Sequence, residues 1–173
     1  GQNEIKKMNE IKNLPIVYID RAPKNAEVLI LSDNETGGYL AGRELIQKGC
    51  RRILFLRDIR FASTVRSRKE GFVRALQEKG MAFNEELEMS CFPEYAEARV
   101  VMERLLKEKG CFFDGIFATN DMMALACVNV LTENQIKVPG QVKVVGFDNI
   151  SLTQFTSPQI TTIAQDTKEL ALH

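Results

Sequence analysis

Apolar and polar positions alternate along this chain in two rhythms. Apolar runs, PIVYI at 15–19, VLIL at 28–31, ILFL at 53–56, GIFA at 115–118 and VKVVGF at 142–147, suit strands buried on both faces of a parallel sheet. Between them lie amphipathic stretches. In 96–109 the apolar Val101, Met102, Leu105 and Leu106 form one stripe, and in 66–79 Phe72, Val73 and Leu76 form another. Three helices are expected to end alike, at Lys48-Gly49, Lys79-Gly80 and Lys109-Gly110, each with a cation near the C-terminus and a glycine able to take the left-handed cap. Gly140, in VPG, adds a fourth stop. Stops recurring every 30 or 31 residues match a strand-plus-helix unit, and the pattern predicts an α/β fold with a doubly wound parallel sheet.

Composition narrows the function classes. The 23 basic and 23 acidic side chains leave no net charge, so nothing draws the chain as a whole to nucleic acid or an anionic membrane. Cys50, Cys91, Cys111 and Cys127 are scattered, without a C-x-x-C pair or flanking histidines, and are read as free thiols rather than a metal site. His173 is the single histidine, which leaves serine-histidine and cysteine-histidine catalysis without a base. No apolar stretch approaches the ~20 residues of a membrane helix, and GQNEIKKMNE is too polar for a signal sequence. The expectation is a soluble, intracellular protein. Its opening over residues 4–12 reads as mid-helix without a start signal, as in a piece of a longer chain.

The candidate chemistry lies where strands end. Open α/β sheets bind ligands at the carboxyl tips of their strands, and several tips here carry groups suited to hydroxyls. Asp20 and Arg21 follow the first run, one accepting and one donating, although alone they also fit a loop ion pair. Arg66 stands near a helix start, against the macrodipole, and so implies a partner; Arg68, Lys69 and Arg74 read as a solvated basic face. Asn120 or Asp121 in FATND fits a helix cap, and the asparagine amide can serve a ligand from the same turn. Met122 and Met123 read as core. Asp148 ends VKVVGFD, and Gln165 ends ITTIAQ. No nucleophile-base pair stands among these groups, which favours binding over catalysis. Neither glycine motif cradles a phosphate: Ile116 stands where a P-loop needs lysine, and Gly37-Gly38 lacks the dinucleotide spacing, so no cofactor is expected.

Taken in order, LPIVYIDR, SDNETGGYLAGRELIQKG, RRILFL, RKEGFVRALQEKG, GIFATNDMMALACVNVL, VPGQVKVVGFDN and ITTIAQD resemble the lactose-repressor (LacI) family of bacterial transcription regulators over nearly the whole chain. That resemblance implies a three-layer αβα lobe of the periplasmic-binding-protein type. It makes residues 1–31 a remnant of an N-terminal lobe, 32–165 the C-terminal lobe and 166–173 the start of the crossing back, with hinges near Ser32-Asp33 and Ala164-Gln165. By the same resemblance the sugar contacts fall on Asp20, Arg21, Arg66, Asn120 and Asp148, with Tyr95 as a stacking ring and Gln165 as a further polar contact, a set similar to that of ribose-binding proteins. Gly146 is then expected to let the chain turn closely and Phe147 to pack at the lobe rim.

The family further implies a non-enzymatic cytoplasmic homodimer that binds a sugar effector, reaches operator DNA through a helix-turn-helix outside this sequence, and uses neither metal nor membrane. A periplasmic sugar receptor of a transporter is the alternative, and IKVPGQVKVVGFDN resembles the regulator branch. Cys50 departs from the family's usual histidine, and the match fails between Phe61 and Val65, a stretch near the pocket that bears on which sugar is chosen.

Overall fold

The computed structural model describes residues 17–19, 28–30, 33–158 and 160–164. Two short strands, β1 (Val17–Ile19) and β2 (Val28–Ile30), pair in parallel with Val17 opposite Val28. A separate five-stranded sheet comprises β3 (Ile53–Asp58), β4 (Glu88–Cys91), β5 (Gly115–Ala118), β6 (Lys143–Asp148) and β7 (Thr161–Ala164). Its order is β4-β3-β5-β6-β7 and every neighbouring pair is parallel. Among the described residues, four α-helices connect the strands: α1 (Asn34–Gln47), α2 (Ser63–Gln77), α3 (Tyr95–Lys109) and α4 (Asp121–Glu133).

The continuous apolar runs are explained by burial of both sheet faces. Successive strand residues point to opposite sides, so Leu54, Leu56, Ile116, Ala118 and Val144 pack with Met102 and Leu105 of α3 and Met123, Cys127 and Leu131 of α4. Ile53, Phe55, Phe117, Val145 and Phe147 pack on the other side with Leu45 of α1 and Phe72 and Leu76 of α2. Two helices on each face give the αβα sandwich expected from the sequence.

Gly49, Gly80 and Gly110 stop their helices at positive φ, 88°, 67° and 69°, where glycine is favoured as anticipated, although at Gly110 a ψ of −171° departs from the left-handed cap itself. The fourth stop is different. Helix α4 closes earlier, through Gln135 at φ 61°, with the Ile136 amide reaching back to the Leu131 carbonyl at 2.9 Å. Gly140 belongs to a separate turn in which Gln141 N donates to Lys137 O at 2.7 Å. Strand β4, EMSC, has no counterpart among the sequence expectations, because an edge strand with mostly half-buried residues carries no apolar run.

The glycine pair at 37 and 38 proves to be a packing device. A Cβ on Gly38 would overlap the Arg68 carbonyl, one on Gly71 would overlap the Glu35 carbonyl, and one on Gly37 would strike the Phe147 ring. Helices α1 and α2 therefore cross with their backbones nearly in contact, over the end of β6.

All four cysteines are free, and only Cys111 is exposed. Burial pushes the Cys50 and Cys91 thiols up to about 11 and the fully enclosed Cys127 higher still. Iodoacetamide at mildly alkaline pH is expected to modify Cys111 alone in the folded protein and all four thiols in denaturant, as counted by intact mass. Labelling of Cys127 without denaturant would contradict this packing.

Candidate functional site

The chain runs outward from β3 to β4, then crosses to the other side of β3 to form β5. This reversal opens a crevice at the carboxyl ends of β3 and β5, the place where doubly wound sheets bind ligands. Asp58, Thr119 and Asp148 enter it from strand ends, and Asn34 and Arg68 from helices α1 and α2.

Arg68 organises the crevice. It is 6 % exposed and continues the apolar stripe of α2 formed by Val65, Phe72, Ala75 and Leu76. Its guanidinium lies 3.7 Å from the centre of the Phe147 ring. Nε donates to Asn34 Oδ1 at 2.8 Å, Nη1 donates to the Thr119 carbonyl at 2.5 Å, and Nη2 stands 3.5 Å from Asp148 Oδ1. The positive charge is thus held by a ring face, two polar oxygens and a carboxylate whose side chain remains 35 % exposed. The reading of Arg68 as part of a solvated basic face is corrected: on an apolar stripe, an arginine is turned inward. Lys69 is also engaged, donating to Glu88 Oε2 at 2.6 Å beside the Arg57 contact to Oε1 at 2.6 Å. Burial acts to raise the Glu88 carboxyl, but these two cations outweigh it and hold it below its usual range. Arg74 is the solvated one, beside Tyr39 and Glu35.

The other candidate residues divide. Asp20, Arg21 and Gln165 lie outside the described residues. Asn120 caps α4, accepting from Met123 N at 2.8 Å, and its amide donates to the Pro93 carbonyl at 3.2 Å, so it ties the tip of β5 to the loop after β4. Arg66 is exposed and lies 5.7 Å from the Phe61 ring; two residues from Arg68, it occupies a different face of the helix. Tyr95 packs against the α3–α4 core, and its hydroxyl accepts from Asn129 Nδ2 at 2.8 Å. The open ring on that loop is Phe92, which is 51 % exposed. A single polar residue on an apolar stripe was the signal for Arg68; Phe92 carried none, because strand β4 before it has no apolar run.

Asp58 is buried and forms a fork with Arg60, with Arg60 Nη2 at 2.6 Å from Oδ2, while its own amide donates to Thr119 Oγ1 at 3.3 Å. Gly146 does not turn the chain. It lies within β6, and a Cβ there would overlap Oδ1 of Asp121. Phe147 is buried beneath Arg68 rather than at a rim. The turn falls two residues after Gly146, at Asp148 and Asn149, with φ of 104° and 54°. The assembled groups are donors, acceptors and rings suited to a small polar molecule. A hollow of about 450 Å³ between Thr132, Ile136, Val138 and Pro158 lies at the opposite edge of the sheet and shares none of these groups.

Residues 43–172 match the family described as the periplasmic binding protein-like domain. The chain belongs to that family. Among curated relatives, it is 32 % identical over 172 residues to the HTH-type transcriptional repressor PurR of Histophilus somni, covering 99 % of this chain and 51 % of that protein. It thus spans about half the length of the curated relatives it matches. A sugar-binding transcriptional regulator of the LacI family from Escherichia coli, complexed with phosphate, superposes with a TM-score of 0.83 at 30 % identity, covering 98 % of this chain and 61 % of that one. A LacI family transcriptional regulator from Enterococcus faecium with bound ribose gives 0.84 at 25 % identity, covering 98 % and 62 %. Members of the LacI family are therefore both homologues and structural neighbours, in agreement with the resemblance read from the motifs. Among the described residues, no helix is long and apolar enough to cross a membrane.

Proposed function

We propose that the chain is the effector-binding portion of a bacterial DNA-binding transcription regulator whose effector is a pentose such as ribose. In this reading residues 32–165 form one lobe, residues 1–31 belong to the other, and the sugar sits between them. The observation that carries it is the Arg68–Asp148 pair at the switch point of the sheet, a fixed cation beside a partly open carboxylate. Asp148 accepts from sugar hydroxyls, Arg68 donates, Asn120 offers its remaining amide capacity, and Phe92 supplies the stacking face in place of Tyr95. Asp20, Arg21 and Gln165 complete the contacts from the crossing and the other lobe. Arg68, rather than Arg66, is the arginine of this set.

Closure on the sugar would shift the lobes of a cytoplasmic homodimer and thereby the spacing of its DNA-reading heads over an operator. The effector acts only through its differential affinity for the two states. The transcriptional repressors among the relatives support a regulator over a transporter's receptor or an enzyme, and the ribose held by the Enterococcus faecium protein supports the choice of sugar. Calorimetric titration of the full-length protein with D-ribose is expected to give saturable binding. Asp148→Ala is expected to weaken it about tenfold to a hundredfold, as loss of a charged hydrogen bond worth ~1.5–3 kcal/mol requires. Failure to bind any pentose or hexose overturns the reading.

A further inference from the structure

Asp121 is 1 % exposed at the first position of α4, directly after the Asn120 cap. Its carboxylate is surrounded by donors from β7 and from the end of β6 with the turn that follows it. Thr162 Oγ1 of β7 donates to Oδ1 at 2.6 Å, and Ile150 N donates to Oδ2 at 2.9 Å. The amides of Phe147 and Asn149 also face it, and burial raises its pKa against the pull of these donors. Gly146 leaves the space that the carboxylate fills. The chain from 146 to 150 is therefore wrapped around one buried side chain.

That wrapped segment contains Asp148 and Asn149, two consecutive non-glycine residues in the left-handed region. Such conformations persist where surrounding contacts over-determine them. Here the contacts come from below: Asp121 grips the amides that follow, and Thr162 accepts from Asn149 N at 3.2 Å while donating to Asp121. Gly146 and Thr162 are also paired in the β6–β7 register. The same three-residue knot thus sets the conformation of Asp148 and locks β6 to β7, the strand that leads to position 165.

We infer that Asp121 is a positioning residue for effector binding, holding Asp148 in its left-handed conformation toward Arg68 and keeping β7 in one rigid unit with it. This rests on the sugar-binding reading for its consequence on affinity, but not for its consequence on the turn. The test uses the full-length protein with Asp121→Asn, which replaces one carboxylate oxygen by a donor, and Thr162→Val, which keeps the branched shape and removes the hydroxyl. Three readouts are compared: amide hydrogen exchange at Asn149 and Ile150 without ligand, D-ribose affinity by calorimetry, and thermal unfolding. Both variants are expected to unfold as one cooperative transition, to exchange these two amides about tenfold faster or more, and to bind ribose about tenfold more weakly. Unchanged exchange at Asn149 and Ile150 overturns the inference whether or not ribose binds. Faster exchange with parental ribose affinity also overturns it, leaving Asp121 a fold anchor only. If the parent binds no sugar while exchange still rises, it is the sugar reading that fails and the hold on the turn that stands.

Discussion

Replacing Gly71 by alanine is expected to cost about 3 kcal/mol or more of stability, measured by urea unfolding. Overpacking a core usually costs about 1–3 kcal/mol because neighbouring side chains give way. At Gly71 the obstacle is the backbone of α1, the Glu35 carbonyl and the Tyr39 amide, and a main chain inside a helix cannot step aside. The helices must separate, which opens the Phe55–Phe72–Phe117 cluster behind them. Gly42 supplies the control. A Cβ there meets the Phe72 ring edge, which can tilt, and the Ala75 methyl, which moves only with its backbone, both at 2.9 Å rather than in the outright overlap of Gly71, so Gly42→Ala is expected to cost less than Gly71→Ala. Equal midpoints for the two variants would show that the crossing of α1 and α2 is looser than described.

Arg68→Met is the second large effect. Methionine keeps much of the length and the contact with Phe147, yet it strips a buried cation from Asn34, Thr119 and Asp148 at once. Removing one partner of a buried charged group typically costs about 3–5 kcal/mol, since the buried polar groups around it lose a charged contact that water does not replace; the 35 % exposure of the Asp148 side chain places the expectation at the lower end of that range. Arg66→Met, two residues away and exposed, is expected to stay within about 0.5 kcal/mol of the parent. Urea denaturation of the two variants side by side decides the matter. A costly Arg66→Met with a silent Arg68→Met would reverse the assignment of the arginine.

Much of the fold was legible because burial on both sheet faces leaves long apolar runs, and because Gly49, Gly80 and Gly110 do end their helices at positive φ where their spacing suggested. Strand β4 was not legible: Glu88 and Ser90 occupy a half-covered edge, where the alternation that betrays a strand is diluted over four residues. At the site, Asp148 and Asn120 stood out as polar residues ending apolar runs. Arg68 could have been found from its place on the stripe with Val65 and Phe72, since the helical period separates it from Arg66 by about half a turn. Asn34 and Thr119 could not, for their roles depend on how closely α1 and α2 approach each other. That approach is set by Gly38 and Gly71, whose work is steric.

The three glycine caps lie where helices return to the amino ends of β3, β4 and β5, while Arg68, Asp148 and Phe92 gather at the carboxyl ends. Helix termination and the candidate site thus lie at opposite edges of one sheet. In the proposed reading, substitutions at the carboxyl edge can re-tune the chemistry of the crevice without touching the signals that stop each helix, so the scaffold could change its effector while continuing to fold by the same punctuation.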